Sequence, residues 1–186
     1  LHPPFNNPKL RRAAMLAISQ KPVLDALVGN SKYYKTCGSV FPCGTPLAGE
    51  DGGDTLVKGS GIEEAKKLLK EANYDGTPVV IMLPTDVVTL KAQPTVVAQQ
   101  LREVGFKGDA QATDWQTVVT RRASQKPPSE GGWNMFCTNW AGADILNPIA
   151  HVTLNGKGAN GGWFGWPDDP KMEELRDKYA RSTSLD

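Results

Sequence analysis

Leu10, Ala14, Ala17 and Ile18 repeat at the three- and four-residue spacing of a single helix face. Asn7 just before them is a capping residue and Pro8 suits the first helical position, so a helix starts there. Ser19 reads as a second cap, with Pro22 tolerated in the first turn and Gly29 as the stop. Residues 8–29 therefore predict two consecutive helices with a break near Ser19. A long irregular loop is expected over residues 30–59, where turn signals gather at Cys43-Gly44-Thr45-Pro46 and Asp51-Gly52-Gly53-Asp54. Ser60-Gly61-Ile62-Glu63 has the form of a capping box. The helix it opens buries Ala65, Leu68, Leu69 and Ala72, and Asn73 can end it in the left-handed conformation.

The pattern then changes. Val79-Val80-Ile81-Met82-Leu83 is continuously apolar and rich in β-branched residues, as in a strand covered on both faces. A helix over residues 91–104 follows, with Val97, Leu101 and Val104 inward, Pro94 in its first turn and Gly105 as terminator. Residues 106–113 return as a second strand, and Asp114 caps a helix carrying Trp115, Val118 and Val119. Residues 133–140 alternate as a third strand, with Trp133, Met135 and Cys137 on one side and Phe136 and Trp140 on the other. This alternation of strands and helices predicts an α/β fold, a sheet covered by helices. Asp169-Pro170 opens a last helix with Met172, Leu175, Arg176 and Tyr179 on one face. The tail over residues 181–186 brings no closing element, so residues 1–186 are expected to be a single domain cut from a larger protein.

Composition adds exclusions. With 39% hydrophobic and 22% charged residues in 186, the chain can build a core and is not a disordered segment. No apolar run approaches the ~20 residues of a membrane helix, so direct membrane insertion is not expected. The net charge is +1, and the pairs Arg11-Arg12 and Arg121-Arg122 are too isolated to form a nucleic-acid stripe. Of three cysteines, Cys37 and Cys43 share a Gly/Pro-rich loop and suit either a small disulfide in an oxidising compartment or two reduced thiols. Neither has the spacing of a metal site, and Cys137 reads as an inert buried thiol.

Catalytic machinery is sparse. The two histidines are His2, in a ragged N-terminus, and His151, read as a loop or surface residue after Asn147-Pro148. No nucleophile elbow occurs. Residues 156–161 match G-x-G-x-x-G, but the following Gly162-Trp163-Phe164-Gly165-Trp166-Pro167 cannot open the helix whose N-terminus would meet a pyrophosphate. No Walker A motif is present, and nothing in the chain calls for a cofactor or a metal. What remains is a set of aromatic and polar residues at loops and strand ends: Phe41, Asn139, Trp140, Asp144, Trp163, Phe164 and Trp166. Loops on a rigid scaffold are where binding residues collect, so binding without catalysis is the economical reading. Asp144 just past the Trp140 ring suits the rim of a cleft, where a carboxylate orients a ligand and a flat ring supplies contact area.

Five segments stand in order along the chain: Pro4-Phe5-Asn6-Asn7 through Arg11, Ala13, Ala17 and Ile18; Ala65-Lys66-Lys67-Leu68-Leu69-Lys70-Glu71-Ala72-Asn73-Tyr74; Gln100-Leu101 to Gly105-Phe106; Asp114-Trp115; and Gly132-Trp133 to Asp144. Together they resemble the extracellular solute-binding proteins of ABC importers that include the dipeptide, oligopeptide and nickel binders, with Asn73 where glycine is usual. The resemblance implies the C-terminal lobe of a two-lobed periplasmic-binding-protein type II fold, without the N-terminal lobe and the final return segment. It implies closure on a ligand by hinge motion, delivery to ABC permease subunits, and a periplasmic or extracytoplasmic location. It also implies that Asp144 holds a ligand ammonium, with Trp140, Asn139, Phe41, Trp163 and Trp166 around it. The spacing from Trp140 to Asp144 is one residue longer than in the peptide binders, so the ligand stays open between a peptide and another small polar solute. Two other readings remain at this level: a small hydrolase or transferase domain using Asp144 and His151 as acid and base, and an adaptor domain with no small ligand.

Overall fold

Val79–Pro84 forms β1, the middle strand of a parallel sheet, with β2 (Gly108–Thr113) on one side and β3 (Met135–Phe136) on the other. This is a computed structural model, which describes residues 1–49 and 51–184. The chain divides into two compact units, Leu1–Gly38 with Glu50–Asn139 and Ser39–Gly49 with Trp140–Asp186.

The first unit holds the sheet. Parallel strands are joined by crossover helices that cover both faces of the sheet, which explains the unbroken apolar run of its middle strand. Val79 and Ile81 enter the main core beside Leu101, Val104 and Phe106. Val80 and Met82, equally buried, alternate to the opposite face. The main core is closed by α1 (Pro8–Ala17), α4 (Ile62–Glu71) and α5 (Val88–Val104), with α1 packed on α4 and α5 on β1 and β2. Helix α2 (Gln20–Val28) lies on α5, and α6 (Trp115–Arg121) packs against β1. The mixed α/β order and the helix-covered sheet are those expected from the pattern; the parallel pairing of the strands is what the structure adds.

The expected helix signals act as expected in most places. Asn7 Oδ1 accepts from the Lys9 amide, Asp114 from the Thr117 amide, and Gly29 and Gly105 end their helices at positive φ. Asn73 does turn left-handed, at φ 49°, letting the Tyr74 amide reach back to the Leu69 carbonyl.

Five expectations need correction. Ser60 is not the cap of α4; Gly61 is, with no side-chain bond. The reason is proximity: a Cβ on Gly61 would lie 2.4 Å from the Leu16 carbonyl oxygen, so the start of α4 abuts the end of α1 through bare backbone. Helix α5 starts at Val88, which leaves Pro94 inside it rather than in its first turn; Pro94 is fully buried, so packing offsets the lost hydrogen bond. The 30–59 stretch is less irregular than expected, holding a 3-10 turn at Ser31–Tyr33 and a short helix, α3 (Asp54–Lys58). The third strand covers two residues, not 133–140: at its start the Asn134 amide donates to the Val80 carbonyl, but the Asn134 Oδ1 stands in for a main-chain acceptor of the Val80 amide, both at 2.9 Å. Trp133 accordingly leaves the side of Met135 and Cys137 and meets Phe136 edge-on at 5.1 Å. The N-terminus is anchored rather than ragged: Phe5 is buried against Phe106, His2 Nε2 bonds the Gln125 carbonyl, and Asn134 Nδ2 donates to Pro3 O.

The second unit contains α7 (Pro170–Arg181), capped by Asp169, whose side chain accepts from the Met172 amide. Its half-buried residues are Met172, Glu173, Arg176 and Tyr179; Leu175, expected inward, is 49% exposed. The rest of the unit is built from 3-10 turns at Gly142–Ile145, Val152–Leu154 and Gly158–Asn160. The expected tail without a closing element reaches Leu185 and Asp186, which lie outside the described residues.

Candidate functional site

Most of the candidate residues fall in the second unit. Trp140 is followed by an extended Ala141 and the 3-10 turn Gly142–Ile145, closed by the Asp144 amide on the Ala141 carbonyl at 3.0 Å. Asp144 is exposed, and its carboxylate has neither a hydrogen bond nor an ion pair among the described residues. An acid left unpaired in a small-residue turn has its full accepting capacity available.

Trp140 is 36% exposed and meets the Trp163 ring edge-on, with centroids 5.1 Å apart. Trp163 in turn meets Phe164 at 4.8 Å. Edge-to-face contacts of this kind hold rings at fixed angles, so Trp140 presents a stiff surface. Trp166 belongs to the same loop and takes φ 49°, with its amide on the Trp163 carbonyl at 2.7 Å. A left-handed tryptophan is an uncommon backbone state, which persists only where the surroundings enforce it. Phe164 is the member of this ladder that the set implied by the resemblance left out; its adjacency to Trp163 was the available signal.

Phe41 lies elsewhere in the unit, edge-on to His151 at 6.0 Å. His151 is 7% exposed, which corrects its reading as a surface residue. Its Nδ1 pairs with Thr153 Oγ1 at 2.8 Å, and burial pushes its pKa below the ordinary histidine value. The ring is thereby a packed structural element of its turn, and among the described residues no hydrogen bond joins it to Asp144. Asn139 belongs to the first unit and is exposed. Cys37 and Cys43 are disulfide-bonded, and Cys137 is free. Burial raises the Cys137 thiol to about 11. The 156–161 glycine segment leads into a turn, with Lys157 bridged to Asp168, and opens no helix. Among the described residues no cluster of three or more His, Cys, Asp or Glu is arranged to hold a metal ion, and no helix is long and apolar enough to cross a membrane.

Residues 1–163 match the model of the bacterial extracellular solute-binding proteins, family 5, middle region. The chain belongs to that family. A probable peptide ABC transporter periplasmic-binding protein of Sinorhizobium fredii is 34% identical over 188 residues, covering the whole of this chain and 35% of that protein. The family 5 chain also superimposes on the ABC transporter substrate-binding protein CtaP of Listeria monocytogenes with a TM-score of 0.77 at 18% identity, over 97% of this chain and 35% of that one. The periplasmic murein tripeptide-binding protein MppA gives 0.75 at 16% identity, over 97% and 34%. AgaA of A. tumefaciens R10, solved with agropinic acid, gives 0.75 at 16% identity, over 98% and 36%. These likenesses place the fold among the type II periplasmic binding proteins. The chain spans about a third of the length of these relatives. The family is one of extracellular solute-binding proteins rather than enzymes, so the hydrolase reading falls.

Proposed function

We propose that the chain is part of the substrate-binding component of an ABC import system, taking a peptide or another small polar solute and delivering it to a membrane permease. The observation that carries this reading is Asp144, an exposed carboxylate with no partner among the described residues, one short turn after the exposed head of the Trp140–Trp163–Phe164 ladder. Asp144 receives a ligand ammonium or other donor by a charge-assisted hydrogen bond, and Trp140 covers the adjoining apolar part. Trp163 supports that ring, and Trp166 belongs to the same loop. The full-length protein adds an N-terminal lobe, closes over the ligand about a hinge, and works outside the cytoplasm. An oxidising compartment there keeps Cys37 and Cys43 paired. The names of the relatives support the solute class: one is called a peptide-binding protein, one a murein tripeptide-binding protein, and one was solved with agropinic acid.

The test is native mass spectrometry of the full-length protein purified without added ligand, followed by a thermal-shift screen of peptides, amino acids and sugars. A defined small molecule released on unfolding, or a melting point raised by mass action, is the expected result. A full-length protein that carries nothing and answers to no solute overturns the reading. For an ammonium ligand, Asp144→Asn weakens binding by about 10- to 100-fold, as loss of a charge-assisted bond does.

A further inference from the structure

Three ion pairs lie within α7, a fourth joins its Glu173 to Lys157 at 3.9 Å, and they are not alike. Lys171–Glu174 and Arg181–Asp177 are exposed, with more than half of each side chain in solvent, and both stay within the helix. Such pairs contribute little. Arg176–Glu173 is different: its side chains are 12% and 21% exposed, and each also bonds a separate segment of the second unit. Arg176 Nη1 donates to Glu173 Oε1 at 2.5 Å, while Arg176 Nε donates to the Pro148 carbonyl at 2.9 Å. Glu173 Oε1 also accepts from the Gly156 amide at 2.8 Å. The Glu173 carboxyl is held below the usual carboxylate range, first by the Gly156 amide and then by Arg176.

The two segments so tied are those that carry the candidate site. Pro148 follows the Asp144 turn by a few residues, in a stretch made rigid by Asn147, whose Oδ1 accepts from the Ile149 and Ala150 amides. Gly156 begins the loop that carries Trp163, Phe164 and Trp166. The loop is closed on itself at its base, by Asp169 N on Gly156 O and Gly158 N on Pro167 O, both 2.9 Å. The two segments are joined in sequence through the 3-10 turn Val152–Leu154 and meet at the Trp140–Trp163 contact, but among the described residues they share no strand pairing. The helix side-chain pair is a further anchor common to both.

We infer that Glu173 and Arg176 are positioning residues for the proposed ligand site, fixing the Asp144 turn and the tryptophan loop to one helix so that carboxylate and rings are pre-arranged for the solute. The inference rests on the ligand-site reading above. Pre-arrangement raises affinity by removing the ordering cost that loose segments would otherwise bear on binding. Neither residue touches the ligand in this account; both act through Pro148 and Gly156.

The experiment is fluorine NMR of the full-length protein labelled with 5-fluorotryptophan, with the signals of this chain assigned by single Trp→Phe variants. Trialanine serves as the binding probe. Glu173→Ala is expected to shift or broaden the Trp163 and Trp166 signals, leave Trp115 and Trp133 in place, and weaken trialanine by about tenfold. Glu173→Gln keeps an acceptor for the Gly156 amide and restores most of both. Unchanged Trp163 and Trp166 signals in Glu173→Ala overturn the inference, as does trialanine affinity equal to wild type despite shifted signals. Should Glu173→Ala unfold the unit, Arg176→Lys decides: it keeps the charge and loses the planar fork to Pro148, and undisturbed tryptophan signals there overturn the proposal. Failure of the wild-type protein to bind trialanine counts against a peptide ligand, and the tryptophan signals still decide whether Glu173 and Arg176 position the loop.

Discussion

His151 and Cys137 show how burial sets the chemistry of single residues. The His151 ring has its pKa depressed, so the folded state disfavours the charged ring. Its contribution is complete above the unfolded value of about 6.5 and is lost as pH falls through that value towards the lower folded one. Thermal melts should therefore decline between pH 7.5 and 5.5 for wild type, and decline less for His151→Gln. Equal slopes in the two proteins would disprove the coupling. Cys137, with its thiol raised to about 11 by burial, should resist an aromatic disulfide reagent at pH 8 until the protein is unfolded. A full stoichiometric reaction with the native protein would contradict its packing. Cys137, in the alternating 133–140 stretch, signalled its burial. His151 gave no such sign, because its neighbours Phe41 and Thr153 come from a loop and a turn whose convergence no local pattern records.

At the level of elements, capping chemistry was the most readable signal, and it failed where backbone met backbone. Asn7, Asp114 and Asp169 all cap as their sequences indicate, since a side-chain oxygen reaching an amide two or three residues on is a local event. Asp114→Ala should accordingly cost about 1 kcal/mol by denaturant unfolding. Ser60 failed as a cap because the determinant was the Leu16 carbonyl, distant in sequence. The start of α5 was missed because Val87, Val88 and Thr89 look extended and Pro94 looks like a first-turn residue. Its burial pattern further along was legible: Leu101 is fully enclosed, and Leu101→Ala should cost about 2–5 kcal/mol, with a value under 1 kcal/mol refuting its place in the core. The brevity of β3 was hidden for a similar reason, since an alternating stretch does not disclose that Asn134 will turn its carboxamide onto Val80.

For the whole molecule, the order of elements and a helix-covered sheet followed from the sequence, the parallel strand pairing came from the structure, and the likeness to solved binding proteins placed the fold independently. The candidate site was legible as a set of residue types around Trp140 and Asp144. Its edge-to-face ladder and its anchorage on α7 were not, because they depend on how turns of little regular structure meet. The sheet itself has a consequence in time. β1 pairs Val79 with Gly108 and Ile81 with Met135, and Asn134 bonds Pro3 near the other end of the unit. None of these pairings is local, and each must close a long loop before it returns any stabilisation. Refolding followed by stopped-flow fluorescence should therefore proceed in about milliseconds to seconds rather than microseconds. During synthesis on the ribosome, β1 emerges long before β3 and must wait, half-covered and adhesive, for residues 134–136 to arrive. The interval before Asn134 appears is when this chain is most exposed to aggregation and most in need of a chaperone.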